Sequence, residues 1–192
     1  MTDTQEKTLL TGDDVLNMPE SLTSGMELIE GVLVPRNGGE SAVPTGLRHA
    51  KVESRFARHI GNFTEQHQLG EVYTGEPGFY TRGDTHTFRA PDVAFISYER
   101  LPKGTEEEGF SFIPPDLVIE VISPGNRTEK MEEKVREWFA FGVRMVWVAY
   151  PSSRRVHVFT APDQLKIYEG DQRIEGGDVL PGFSATTSDF FA

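Results

Sequence analysis

Residues 116–122 read Asp116-Leu-Val-Ile-Glu120-Val-Ile122, an almost unbroken aliphatic run with one carboxylate in its interior. A short run so rich in Val and Ile fits a strand covered on both faces, and such strands belong to sheets with helices packed on either side. Inside that strand Glu120 needs a cation, because a buried carboxylate left alone is either costly or protonated. An arginine or a metal ion would serve. Asp116 lies on the same strand face, but four residues at about 3.3 Å put the two Cα atoms roughly 13 Å apart. That is too far for one ion held at about 2.0–2.1 Å by each carboxylate. A partner acid must come from another strand. Arg89-Ala-Pro-Asp92-Val-Ala-Phe-Ile-Ser97 supplies Asp92, and Pro91 can sit only at a strand start, edge or bulge. Asp92 then stands at the mouth of a strand, although Pro-Asp is equally a common turn pair.

Downstream, residues 128–141 carry Met131, Val135 and Trp138 on one helical side, with Lys134 among them. Glu132, Glu133, Arg136 and Glu137 fall elsewhere around the helix. Lys134 is thus directed at the sheet, where it either snorkels to water or meets the acids. Thr128 or Asn126 is available as N-cap and Gly142 as the stop. Strands follow at Arg144–Tyr150 and Arg155–Phe159 around the turn Pro151-Ser-Ser-Arg, with shorter ones at Leu165–Tyr168 and Leu180–Phe183. Upstream, Leu47–His67 forms a first helix with Val52, Phe56, Ile60 and Phe63 on its apolar side. Its basic side, Arg48, Lys51, Arg55 and Arg58, is either a solvated face or a phosphate contact. Before it, Met26–Val34 folds as a hairpin about Gly31, and Glu71–Thr74, Gly78–Thr81 and Phe88–Ser97 complete the strands. This order predicts an α/β (α+β) architecture: a central mixed β-sheet flanked by helices, with an N-terminal hairpin and C-terminal strands. A polar leader, residues 1–21, precedes one domain, residues 22–192.

A chain of 192 residues is long enough to bury about 70% of its unfolded surface in one core. With 19 basic against 30 acidic residues the net charge is -11, which argues against a protein that coats nucleic acid through a broad positive field. It leaves open a metal-dependent nuclease, because such an enzyme gathers carboxylates and the ion inverts the local electrostatics. No apolar run approaches the roughly 20 residues of a membrane span. The start, Met1 to Thr11, lacks the basic and apolar regions of a secretory signal, and there is no cysteine, so the cytoplasm is the expected compartment. A glycosidase carboxylate pair is disfavoured because Trp138 and Trp147, the two tryptophans, both read as core.

Taken in order, Glu27-Leu-Ile-Glu-Gly31, His49, Pro91-Asp92-Val, Pro115-Asp-Leu-Val-Ile-Glu-Val-Ile-Ser-Pro124, Lys134, Gly142-Val-Arg-Met-Val-Trp147 and Leu180-Pro-Gly-Phe183 resemble the PD-(D/E)XK nuclease superfamily. Within it they resemble the Uma-two-type family of restriction-endonuclease-like proteins, across about Met26 to Phe191. The resemblance implies a restriction-endonuclease-like core and Mg²⁺-dependent (or Mn²⁺-dependent) hydrolysis of phosphodiesters, with DNA as the expected substrate. It makes Asp92 and Glu120 the metal carboxylates and the Val121 backbone carbonyl a further ligand. The usual E-x-K lysine position is held by Ile122, so the resemblance is to members whose lysine has moved to the following helix, here Lys134. His49 is a phosphate or water contact, or else a capping or packing residue, and either Glu27 or Glu30 could add a distal acid. A catalytically weak nuclease-fold module that binds nucleic acid or a protein is the alternative. A homodimer is expected from superfamily habit and the frequency of twofold oligomers.

Overall fold

The computed structural model describes residues 9–36, 46–123 and 128–192. Short helices α1 (Gly12–Leu16) and α2 (Glu20–Thr23) lead into the hairpin β1 (Met26–Ile29) and β2 (Val32–Pro35). Then come α3 (Leu47–His67), β3 (Gly70–Thr74), β4 (Val93–Ser97), β5 (Leu117–Val121), α4 (Thr128–Phe141), β6 (Met145–Tyr150), β7 (Arg155–Ala161) and β8 (Gln164–Glu169). The chain closes with β9 (Arg173–Glu175), β10 (Ser184–Thr186) and a 3-10 helix, Thr187–Phe190. Six strands form one sheet in the order β3-β4-β5-β6-β7-β8. Only the β5–β6 pair in it is parallel, and α4 supplies the long connection that a parallel pair requires. The expected mixed sheet flanked by helices is the observed one.

Strand alternation divides the core in two. Leu117, Ile119 and Val121 face α3 and pack with Val52, Phe56, Ile60, Trp147 and the C-terminal Ile174, Phe183 and Phe190. Phe56 and Phe190 stack with ring centroids 4.1 Å apart. On the other side Val118 packs with Ala94, Val146 and Val148 against Met131, Val135 and Trp138 of α4. Glu120, of the same parity as Val118, therefore faces α4.

The hairpin turns at Glu30 and Gly31, both with positive φ (51° and 74°) and with Ile29 paired to Val32. A two-residue loop of that kind matches the twist of its strands, and glycine is favoured in it. Gly142 ends α4 with φ 109°, as its sequence position suggested. The N-cap expected of the Asn126 or Thr128 side chain falls outside the described residues.

Three expectations are corrected. Phe88–Ser97 is not one strand: β4 begins only at Val93, and Phe88 and Arg89 make isolated bridges to Leu28 and Phe79. Pro91, which has no N–H to donate, interrupts the ladder. Gly78–Thr81 is likewise reduced to bridges at Phe79. Leu180–Phe183 is a turn between β9 and β10, with Leu180 fully buried. The stretch read as a polar leader also contains structure: α1 starts from a Thr11–Asp14 capping box and buries Val15 against Leu28, Tyr80 and Phe88.

Edge strand β3 is held close to β4 at Gly70, where an added Cβ would lie 2.1 Å from the Ile96 carbonyl oxygen and 2.6 Å from the Ser97 Cα. Both are backbone atoms, so the strands would have to part. We expect Gly70→Ala to lose about 1–3 kcal/mol of stability in denaturant titration; an unchanged midpoint would show that the edge accommodates the methyl group.

Candidate active site

Because β4 runs antiparallel to β5 with Val93 opposite Ile119, Asp92 falls beside Glu120 and Val121. The main-chain N–H of Val121 donates to Asp92 Oδ2 at 2.6 Å. On the other carboxylate oxygen, His49 Nε2 lies 2.9 Å away and the Arg36 guanidinium also donates. Arg36 reaches Glu76 with its second terminal nitrogen. His49, in the first turn of α3, has its Nδ1 3.0 Å from the Ser123 hydroxyl.

The α4 side is just as closely tied. Lys134 Nζ lies 2.8 Å from Glu27 Oε1 and 3.0 Å from Glu120 Oε1, and the Trp138 indole donates to the same Glu120 oxygen at 3.0 Å. Arg89 joins Glu27 (2.8 Å) to Glu137 (2.6 Å), and the Ala90 N–H donates to Glu27 at 3.1 Å. Glu27, Asp92, Glu120 and Lys134 are only 1, 2, 3 and 5% exposed. Charges removed so completely from water persist only with partners of this closeness.

The sequence could not choose between Glu27 and Glu30; the fold places Glu27 against Lys134, while Glu30 pairs with Arg82 at an exposed turn. Lys134 is buried between two acids, so it does not snorkel. Asp116 sits at the far end of β5 and binds Arg100 (3.1 Å), Arg144 (3.2 Å) and the Ser97 N–H (2.8 Å), fastening β4, β5 and the start of β6. Of the basic side of α3, Arg48 and Arg55 donate to the carbonyls of Pro151 and Asp189, while Lys51 and Arg58 are exposed.

Three site residues escaped the sequence reading: Arg36, Glu53 and Glu76. Glu53 follows His49 by four residues, one helical turn, so that pairing was readable. His49, Glu53 and Asp92 each offer a ligand atom within 4.8 Å of the others. Arg36 and Glu76 lie in irregular segments where no periodicity marks a side chain's direction. Glu53 and Glu76 also line a cavity of about 520 Å³ together with Leu16, Phe88 and Phe110.

Burial pushes the Asp92 carboxyl up, but the His49 hydrogen bond and the Arg36 charge outweigh it and hold the group at about 2. Glu120 moves the other way: burial raises it, with the Asp92 charge adding and Lys134 opposing. Two neighbouring carboxyl groups with separated affinities for protons are typical of reactive centres. Burial also pushes Glu27 up, yet Lys134 and then Arg89 hold it below its ordinary 4.5, and Arg89 does the same for Glu137. Stability from these lowered groups is present above about pH 4.5 and is lost as pH falls through their folded values. In Arg89→Ala we expect stability to fall chiefly above pH 4.5, flattening its dependence on acid. Equal losses at pH 3 and pH 7 would exclude this linkage.

Among the described residues no helix is long and apolar enough to cross a membrane. No curated protein matches the sequence. The fold matches a crystal structure from Anabaena variabilis, titled a "putative nuclease belonging to DUF820", with TM-score 0.75 and 20% identity over 95% of this chain and 97% of that one. Residues 13–188, nearly the whole chain, match the Uma2 family model, described as "Putative restriction endonuclease". With that match over a mixed sheet whose Asp92, Glu120 and Lys134 gather at one end, the chain belongs to the Uma2 family.

Proposed function

We propose that the protein is a metal-dependent endonuclease that hydrolyses phosphodiester bonds in DNA, using Mg²⁺ or Mn²⁺ at the Asp92 end of the sheet. The carrying observation is the meeting of buried acids from β1, β5 and the approach to β4 with one buried lysine from α4. The donors suit a hard divalent cation, which prefers oxygen ligands with at most a histidine. Asp92 is common to two candidate sets: Glu120 with the Val121 carbonyl, which the family resemblance implies, and His49 with Glu53, whose ligand atoms lie within 4.8 Å of that of Asp92. A bound cation would neutralise charge on the phosphoryl oxygens and provide a hydroxide equivalent.

The protein's own groups do the rest. The Val121 N–H and His49 fix the orientation of the Asp92 carboxylate. Lys134, held by Glu27 and Glu120, keeps its charge, since the two acids outweigh the effect of burial and raise its proton affinity. A charged Lys134 orients the attacking water and offsets the charge that develops on phosphate. His49 holds Asp92, which favours a positioning role over a direct phosphate contact. Exposed Lys51 and Arg58 on α3 offer the DNA backbone a local positive surface despite the net charge of -11.

Calorimetry with Mg²⁺ and Mn²⁺, and nicking of supercoiled DNA with and without chelator, test the reading. We expect metal binding and chelator-sensitive nicking in the wild type, and neither in Asp92→Ala. Absence of metal binding, with identical DNA profiles for wild type and variant, would sink the proposal. A twofold homodimer belongs to the same proposal, and light scattering that gives the monomer mass across the micromolar range would remove it.

A further inference from the structure

Arg36, the first residue after β2, is 5% exposed in its side chain and directs one terminal nitrogen to Asp92 and the other to Glu76. Its charge also acts on Glu120. No regular element dictates this placement: the residue follows Pro35 and is anchored through its N–H to the Gly25 carbonyl at 3.0 Å. The guanidinium thus lies among the acids that a divalent ion would need. Asp92 Oδ2 accepts from Val121, while Oδ1 already accepts from both His49 and Arg36 and is the oxygen beside His49, so a cation shared with His49 and Glu53 meets the guanidinium there.

We propose that Arg36 is a built-in competitor for the metal: its guanidinium stands in for the ion in the metal-free chain and must leave Asp92 when the ion binds. The inference rests on the metal-dependent reading above.

Two physical consequences have opposite signs. Without Arg36 or an ion, the buried Asp92 carboxylate would keep only His49 and the Val121 N–H among the described residues, a destabilising state. Arg36 therefore supports the metal-free fold. The same pairing reduces apparent metal affinity by the fraction of molecules in which Asp92 is open to a ligand. Glu76, on the rim and 35% exposed in its side chain, gives the displaced guanidinium a place to remain paired. Among the described residues the buried Nε of Arg36 has no hydrogen-bond partner, so the polar hold on the guanidinium comes from its two terminal nitrogens.

The test compares wild type with Arg36→Gln. Without metal the variant should melt lower, by roughly 5–10 °C. It should bind Mg²⁺ more tightly by calorimetry, about tenfold, and metal should raise its Tm more than that of the wild type. Arg36→Lys, which keeps the charge but not the fork, should fall between them. If Arg36→Gln does not fold, the Arg36 Nε–H resonance of the wild type during a Mg²⁺ titration gives the answer, because displacement must shift it. Arg36→Gln binding Mg²⁺ equally or more weakly, or a resonance unmoved at saturation, would overturn the competitor role alone. Failure of both proteins to bind Mg²⁺ or Mn²⁺ would overturn it together with the metal-dependent reading.

Discussion

Lys134→Met should melt roughly 6–20 °C below the wild type, a loss of about 3–5 kcal/mol, and should lose DNA nicking. Methionine keeps most of the stem that packs beside Met131, Val135 and Trp138, so little of this loss would come from a cavity. What disappears is the ammonium between Glu27 at 2.8 Å and Glu120 at 3.0 Å, both nearly inaccessible to water. Glu27 retains Arg89 and the Ala90 N–H; Glu120 keeps only the Trp138 indole among its hydrogen-bond donors in the described residues. The uncompensated charge is therefore concentrated on Glu120. Adding Glu120→Gln to Lys134→Met should recover part of the stability, because the buried charge that lost its partner is then removed. Contacting residues couple by about 0.5–3 kcal/mol in such cycles. If Lys134→Met melts with the wild type, the ammonium is not balancing these acids, and its value for phosphate chemistry falls with it.

The legible parts of this protein are those where a repeat ties side-chain direction to chain position. Val52, Phe56 and Ile60 marked α3, and Met131, Val135 and Trp138 marked α4; both helices span the residues expected. That same period placed Lys134 on the sheet side. Glu120 was conspicuous because it interrupts an aliphatic strand, and distance along β5 separated it from Asp116, which proves to fasten the opposite end with Arg100 and Arg144. Elsewhere the needed information was not local. Alternation put Glu27 and Glu30 on different sides of the hairpin, but only packing of β1 beside α4 could say which side was inside. Arg36 and Glu76 leave no periodic trace, since their roles depend on three segments meeting near Asp92. The α1 start was readable: Thr11 and Asp14 have capping-box spacing, with Val15 and Leu16 following.

Trp138 separates packing from electrostatics within the same site. Its ring is fully buried, edge-on to Phe79 with centroids 6.2 Å apart, and its indole N–H is the neutral donor to Glu120. Trp138→Ala removes both and should cost about 3–5 kcal/mol or more, since α4 cannot close the gap without shifting Lys134. Trp138→Phe keeps an aromatic ring and deletes mainly the N–H. The expected loss is about 1.5–3 kcal/mol, the range for a hydrogen bond to a charged group. Its larger consequence should be chemical: Glu120, already raised by burial, loses a donor that favours its ionised form and becomes harder to keep charged. Nicking by Trp138→Phe should therefore fall more at pH 6 than at pH 9, whereas a purely structural defect would lower it equally at both. A pH profile parallel to that of the wild type would assign Trp138 to packing alone and leave Lys134 as the group that sets the state of Glu120.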